Sequence, residues 1–198
     1  MKQMLKLGLV LALYATAACV GLAFVYAGTK DTIAWREQAA LEAALKELFP
    51  DGDSFEDISG TIASSDASVG FDSQYAVRRG GVLIGAALSS SGPSYGGPAS
   101  VLVGTGVDGK VSGVKILSIS DTPGLGANAS SPRYFVDRAS GLTFYGQFSG
   151  KAASDAFEPK ADVAAITAAT ITSRAVSLIV RTSARDAAAW LSAQGGSK

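Results

Sequence analysis

No histidine occurs among the 198 residues, and that absence removes whole classes of chemistry. Ser-His-Asp and Cys-His catalysis, histidine zinc centres and haem ligation through histidine each require an imidazole that titrates near neutral pH. Cysteine is almost as scarce. The single Cys19 lies inside an apolar run, so the chain cannot build an internal disulfide, a paired-thiol redox centre or a thiolate metal cage. Net charge is missing too: 17 Lys and Arg balance 17 Asp and Glu, leaving no field to draw the protein to nucleic acid or to an acidic lipid surface. Nucleic-acid binding is therefore set aside. The acidic residues are scattered. Asp51, Asp53, Glu56 and Asp57 gather only in a Gly/Ser-containing loop, where they read as a solvated turn, and no catalytic or metal-ligating residue is assigned.

What the sequence does contain begins with a long apolar run. Leu7 to Ala27 carries no charge, and about 20 apolar residues rising 1.5 Å each cross a hydrocarbon core of roughly 30 Å. The run predicts a single transmembrane helix, with residues 1–28 as cytoplasmic end and anchor. Lys2 and Lys6 beside the amino terminus favour a cytoplasmic start, and hence an extracytoplasmic domain beyond the membrane. A cleaved signal peptide near Ala15-Thr16-Ala17 and a lipoprotein acylated on Cys19 are the rival readings. Both fit poorly, because Val20 to Ala27 continues the apolar run past either cleavage point.

Residues 29–50 carry Ile33, Leu41, Leu45, Leu48 and Phe49 at helical spacing and end at Pro50, predicting an amphipathic helix that leaves the bilayer. Residues 51–198 are the size of one ordinary domain. Asp51 to Ser68 reads as a loop with a brief strand at Ile58 to Ile62. Val69 to Val77 and Val82 to Leu88 flank Arg78-Arg79-Gly80-Gly81, and Ala99 to Val107 and Val111 to Ile119 flank Asp108-Gly109-Lys110. Glycines at these positions supply the positive φ of tight turns, so two hairpins and an antiparallel sheet are expected. Thr122-Pro123-Gly124-Leu125-Gly126 is a bend in which backbone can approach another group closely. Tyr134, Phe135, Phe144, Tyr145 and Phe148 could wall a flat ring or fill a core. Ile166 to Ser173, rich in hydroxyls, opens a helix running towards Trp190 and Leu191; N-capping accounts for one or two of those hydroxyls but not for four. The fold class is α+β, one transmembrane helix followed by an antiparallel sheet with flanking helices.

Five motifs stand in a fixed order behind the anchor: Tyr95-Gly96-Gly97-Pro98, Val107-Asp108-Gly109-Lys110-Val111, Asp121-Thr122-Pro123-Gly124-Leu125-Gly126, Gln147-Phe148-Ser149-Gly150-Lys151 and Thr167-Ala168-Ala169-Thr170-Ile171-Thr172-Ser173. Together they resemble the FMN-binding domain of the G subunit of Rnf-type electron-transport complexes, a domain shared with the C subunit of the sodium-pumping NADH:quinone reductase. The resemblance implies FMN held covalently, as a phosphoester on Thr170. It places the cofactor-binding set at Thr167, Ala168, Ala169, Thr170, Ile171 and Thr172, at Asp121, Thr122, Gly124, Leu125 and Gly126, and at Tyr95 and Gly96. The bend would lie against the isoalloxazine, with Leu125 as an apolar face and Thr122 as a polar contact. The chain departs from the family pattern where Ala168 replaces glycine, Ala164 replaces an acidic residue, Ile119 replaces histidine and Asp121 replaces glutamate.

The function so implied is a one-electron relay in an ion-translocating ferredoxin:NAD oxidoreductase at the inner (cytoplasmic) membrane. Its partners would be the other membrane and redox subunits, with a flavin transferase for maturation. A helix start suits a phosphodiester, since exposed N–H groups and the helix dipole favour an anion. The dipole is worth only about 0.3–1 kcal/mol, whereas nanomolar retention of a free ligand needs about 12 kcal/mol, so a covalent tether makes physical sense. Two other readings stay open: a structural component of the same complex that has lost its flavin and braces it, and a stand-alone membrane-anchored flavoprotein electron donor.

Overall fold

A computed structural model of the chain describes residues 2–195. They form two compact units that divide after Ala40, with one helix, α1 (Lys2–Leu48), passing through both.

In the first unit α1 exposes its apolar side chains on every face; Leu5, Leu9, Leu13, Leu22 and Phe24 are all open to the surroundings. A helix that is apolar all round is stable only against other apolar matter, and this one is long and apolar enough to cross a membrane. The apolar stripe expected from Ile33 onward starts later than its spacing suggests: Ile33 and Trp35 remain exposed, and burial begins in the last two turns. α1 runs from Lys2 to Leu48 without a break at residue 28.

The second unit is built on a five-stranded antiparallel meander: β1 (Ser54–Asp57), β2 (Gly70–Arg79), β3 (Val82–Pro93), β4 (Pro98–Gly106) and β5 (Val111–Ser118), adjacent in chain order. The first expected hairpin closes on two residues, Gly80 and Gly81, both at positive φ (57° and 81°), which is the twist a two-residue turn needs. The second turns at Asp108-Gly109, with Gly109 at φ 75°. A two-stranded ribbon, β6 (Phe135–Asp137) with β7 (Leu142–Thr143), follows, and helix α2 (Thr170–Gly195) closes the unit.

Strand alternation assigns the two faces of the sheet. Val101 and Val103 point to α2 and meet Val176, Ile179 and Val180; Ala86 and Leu88 on the same side meet Ala187 and Leu191. Phe144, Phe148 and Phe157 complete this core, with rings edge-on at 5.6 Å and stacked at 6.2 Å. Each fully buried ring contributes about 1.5–3 kcal/mol. Two of the five aromatics after the bend, Phe144 and Phe148, are thus core residues. On the other face, Val77, Ala87 and Leu102 receive Leu45 and Leu48 from the end of α1 and Phe49 just beyond it. The Phe49 ring sits in a trough cut by glycine: a Cβ at Gly85 would lie 2.6 Å from Cε1 of Phe49, and one at Gly104 2.8 Å from its Cε2.

Two segments differ from the sequence reading. The brief strand is Ser54–Asp57, not Ile58 to Ile62. Gln74 stands in for a strand partner there, its amide accepting from Ile62 N (2.9 Å) and donating to Ile62 O (2.8 Å). β3 also runs beyond Leu88 through Ser89-Ser90-Ser91 to Pro93, and the buried Ser90 hydroxyl is satisfied by Ser183 Oγ at 2.7 Å. The acidic cluster braces the first hairpin: Asp53 accepts from Gly80 N at 2.6 Å, Glu56 pairs with Arg78 at 3.2 Å and Asp51 with Arg79 at 3.5 Å.

Candidate functional site

The site is assembled at the start of α2. The helical ladder begins with Ser173 N donating to Ala169 O at 3.0 Å, so the N–H groups of residues 170–172 have no acceptor within the helix. The approach to the helix is held from several sides. Ser173 Oγ accepts from Ile166 N and donates to Ala169 O, both at 2.9 Å. Ala169 N donates to Ile166 O at 3.0 Å. Tyr134 Oη accepts from Thr167 N at 3.2 Å, and the Gln147 side chain clamps Ala164 through its N–H (2.7 Å) and carbonyl (3.1 Å). Within this loop Ala168, the residue that replaces the family's glycine, takes φ 59°, the left-handed conformation that costs a side-chain-bearing residue about 1–2 kcal/mol.

The four hydroxyls of the motif separate into two kinds. Thr172 and Ser173 are buried and engaged; Thr172 Oγ1 donates to Asp121 Oδ2 at 2.5 Å. Thr167 and Thr170 are exposed, and among the described residues neither side-chain hydroxyl takes part in a hydrogen bond. Sequence reasoning foresaw a hydroxyl-rich helix start but not this division.

Asp121 organises the opposite wall. It is 4% exposed and accepts from Ser94 Oγ (2.7 Å), Gly96 N (2.6 Å) and Thr172 Oγ1. Burial pushes its carboxyl up, but the bonds from Thr172, Ser94 and the Gly96 and Tyr95 amides outweigh that and hold it below the usual carboxylate range. The aspartate, shorter than the family's glutamate, therefore makes well-formed contacts. Directly after it, Leu125 N donates to Thr122 O at 3.1 Å across Pro123 and Gly124, with Gly124 at φ 78°. That is a type II turn, in which proline pre-sets one φ and glycine supplies the positive one. Gly126 is packed so closely that a Cβ would strike Asp121 and Thr172.

Between these walls lies a cleft of about 370 Å³, towards the small end for a ligand site. Tyr95 lines it from the β3–β4 connection, Thr122, Leu125 and Gly126 from the bend, and Ala168, Ala169, Thr170, Ile171 and Thr172 from the helix start. All nine were singled out from the sequence. Of the other four, Asp121 and Gly96 stand behind the cleft wall through their mutual hydrogen bond, while Gly124 and Thr167 are exposed and do not line it. Ser94, Tyr134 and Gln147 are the supporting residues the sequence did not single out as contacts; Ser94 precedes the Tyr95-Gly96-Gly97 motif and Gln147 opens another, but nothing in one dimension pairs them with Asp121 and Ala164.

The cleft fits an FMN group. Exposed Tyr95, Leu125 and Ile171 offer apolar surface for a flat ring, and the helix start offers N–H donors with no acidic residue in its first turn to repel a phosphate.

Residues 94–185, which hold the whole cleft, match the FMN-binding domain, and residues 1–48 match the RnfG N-terminal region. The second unit, of α+β type, therefore contains an FMN-binding domain. Among relatives, the chain is 35% identical over 133 residues to the G subunit of an ion-translocating oxidoreductase complex of Pseudoalteromonas atlantica, covering 64% of this chain and 62% of that protein. It is 29% identical over 191 residues to the G subunit of the Na(+)-translocating ferredoxin:NAD(+) oxidoreductase complex of Acetobacterium woodii, covering 88% and 87%. To the G subunit of the proton-translocating ferredoxin:NAD(+) oxidoreductase complex of Clostridium ljungdahlii it is 32% identical over 161 residues, covering 78% and 76%. Over some relatives, including the first, the match spans less than two thirds of their length. The chain belongs to the G-subunit family of Rnf-type ion-translocating oxidoreductase complexes.

Proposed function

We propose that the protein is a one-electron relay of an Rnf-type complex, anchored by α1, and that it holds FMN through a phosphoester to Thr170. The observation that carries this reading is the exposed, uncommitted Thr170 hydroxyl on the edge of the cleft, at the N-terminus of a 26-residue helix. The first-turn amides and the helix dipole favour the one negative charge that a phosphodiester keeps. Tyr95, Leu125 and Ile171 supply apolar contact while remaining partly exposed, which leaves a route for electron exchange with a neighbouring redox protein of the complex. When bound, the flavin supplies the redox chemistry, and this chain supplies position and local field. Thr170 does not activate itself: a hydroxyl is a weak nucleophile and the chain has no histidine to serve as base, so attachment falls to a separate flavin transferase. The lysines at the amino terminus favour a cytoplasmic start and a domain on the extracytoplasmic side.

The test is the intact mass of the full chain produced beside a flavin transferase. The expected mass exceeds that of the polypeptide by one FMN less water, on the peptide that contains Thr170, and Thr170→Val abolishes the increment. A wild-type protein of unmodified mass, or an increment that survives Thr170→Val, refutes the assignment.

A further inference from the structure

The nine residues that line the cleft carry no formal charge. Directly behind them stands a carboxylate, Asp121, 4% exposed and joined to the lining by the bond from Thr172. Its other partners are the Gly96 and Tyr95 amides and the hydroxyl of Ser94. Among the described residues no lysine or arginine forms an ion pair with it. Neutral dipoles can hold a buried carboxylate ionised, but they do not cancel its field at a distance as a bound cation would. A merely structural link between bend and helix needs only a neutral acceptor, which asparagine or a backbone carbonyl supplies without the desolvation cost of a charge.

We propose that Asp121 is a potential-setting residue: its fixed negative charge behind the cleft lowers the electron affinity of the flavin held there. The proposal rests on the reading that the cleft holds FMN. Adding an electron brings negative charge into a space whose wall is bonded to a carboxylate, and the repulsion favours the oxidised group. Because Asp121 touches Thr172 on the lining itself, its charge lies within about 10 Å of a group seated there. At an effective dielectric constant of about 20, one charge at that range shifts a reduction equilibrium by about tenfold, or ~59 mV for a one-electron step. The effect is on the potential and not on retention, which the ester at Thr170 secures.

Spectroelectrochemical titration of the full flavinylated chain in detergent tests this, with intact mass confirming flavin on every sample. Asp121→Asn keeps the shape and one acceptor and removes the charge; its potential is expected to rise by ~59 mV, a tenfold shift in the one-electron equilibrium. Ser94→Ala, outside the cleft lining, removes a donor dipole and leaves the charge less compensated; its potential is expected to move the opposite way. Opposite shifts separate charge from distortion, since loosening the same network would move both variants alike. A flavin-loaded Asp121→Asn protein with the wild-type potential overturns the proposal. If that variant fails to fold, an unchanged or raised potential in Ser94→Ala overturns it independently. Wild-type protein without flavin would instead remove the reading beneath it, and the mass measurement tells the two failures apart.

Discussion

Ala168 is the residue at which the site departs most from what backbone sterics favour, and Ala168→Gly gives that departure a magnitude. At φ 59° its Cβ costs about 1–2 kcal/mol relative to a residue without one. Against this, glycine loses more freedom on folding, a cost of about 0.5–1 kcal/mol. Ala168 is exposed, so its methyl group leaves no buried cavity. The balance is a stabilisation of about 0.5–1 kcal/mol, or a rise in Tm of about 1–4 °C for a domain of this size. Ala168→Val should move the other way, because branching at Cβ makes the left-handed conformation costlier. Thermal melts of the full chain in detergent, followed by far-ultraviolet circular dichroism, provide the measurement. An Ala168→Gly variant that melts below wild type, or a valine variant that matches it, would show that the loop does not hold this residue at positive φ and would undo the strain argument.

Two further predictions concern the scaffold. Gly104→Ala drives a methyl group to 2.8 Å from the Phe49 ring and 3.2 Å from Leu48 Cδ2, against a ring that also lies close over Gly85; a loss of about 1–3 kcal/mol is expected in urea unfolding, with part of it recovered in Gly104→Ala/Phe49→Leu. Acid should unfold the domain through Asp121 and Asp162, both held below their ordinary pKa. Burial raises Asp162, but the Glu158 amide, Lys151 and the Phe157 amide together lower it more. A depressed carboxylate contributes stability that is full above its unfolded pKa of about 4 and is lost as pH falls through the folded value. Asp162→Asn should therefore be less stable at pH 7 and show a shallower loss below pH 4; equal acid slopes for variant and wild type would contradict this.

The parts of this structure that were legible in the sequence are those governed by local physics. Gly80-Gly81 and Asp108-Gly109 announced their hairpins because the required dihedrals leave few other residues, and Pro123-Gly124 marked its turn for the same reason. The cleft lining was legible for another cause: its residues lie in short motifs carried by a family resemblance. What escaped depended on partners far along the chain. The expected strand stopped at Leu88, short of Ser89 to Ser91, because the hydroxyl that satisfies Ser90 belongs to Ser183. Ile58 to Ile62 looked like a strand because nothing local shows that a glutamine side chain occupies its edge. Asp121 and Thr172 stand 51 residues apart, and the glycine trough beneath Phe49 draws on β3 and β4 together.

If FMN is attached as proposed, the unequal treatment of the motif's hydroxyls bears on the order of events in maturation. An unfolded chain presents Thr167, Thr170, Thr172 and Ser173 as four similar alcohols to any modifying enzyme. Once the domain closes, two of them are spent inside and two remain at the surface, only Thr170 of these lying on the cleft. Under the proposed attachment to Thr170, folding would do the regiochemical sorting, and an enzyme acting on the finished domain would need far less discrimination of its own than one acting on the nascent chain.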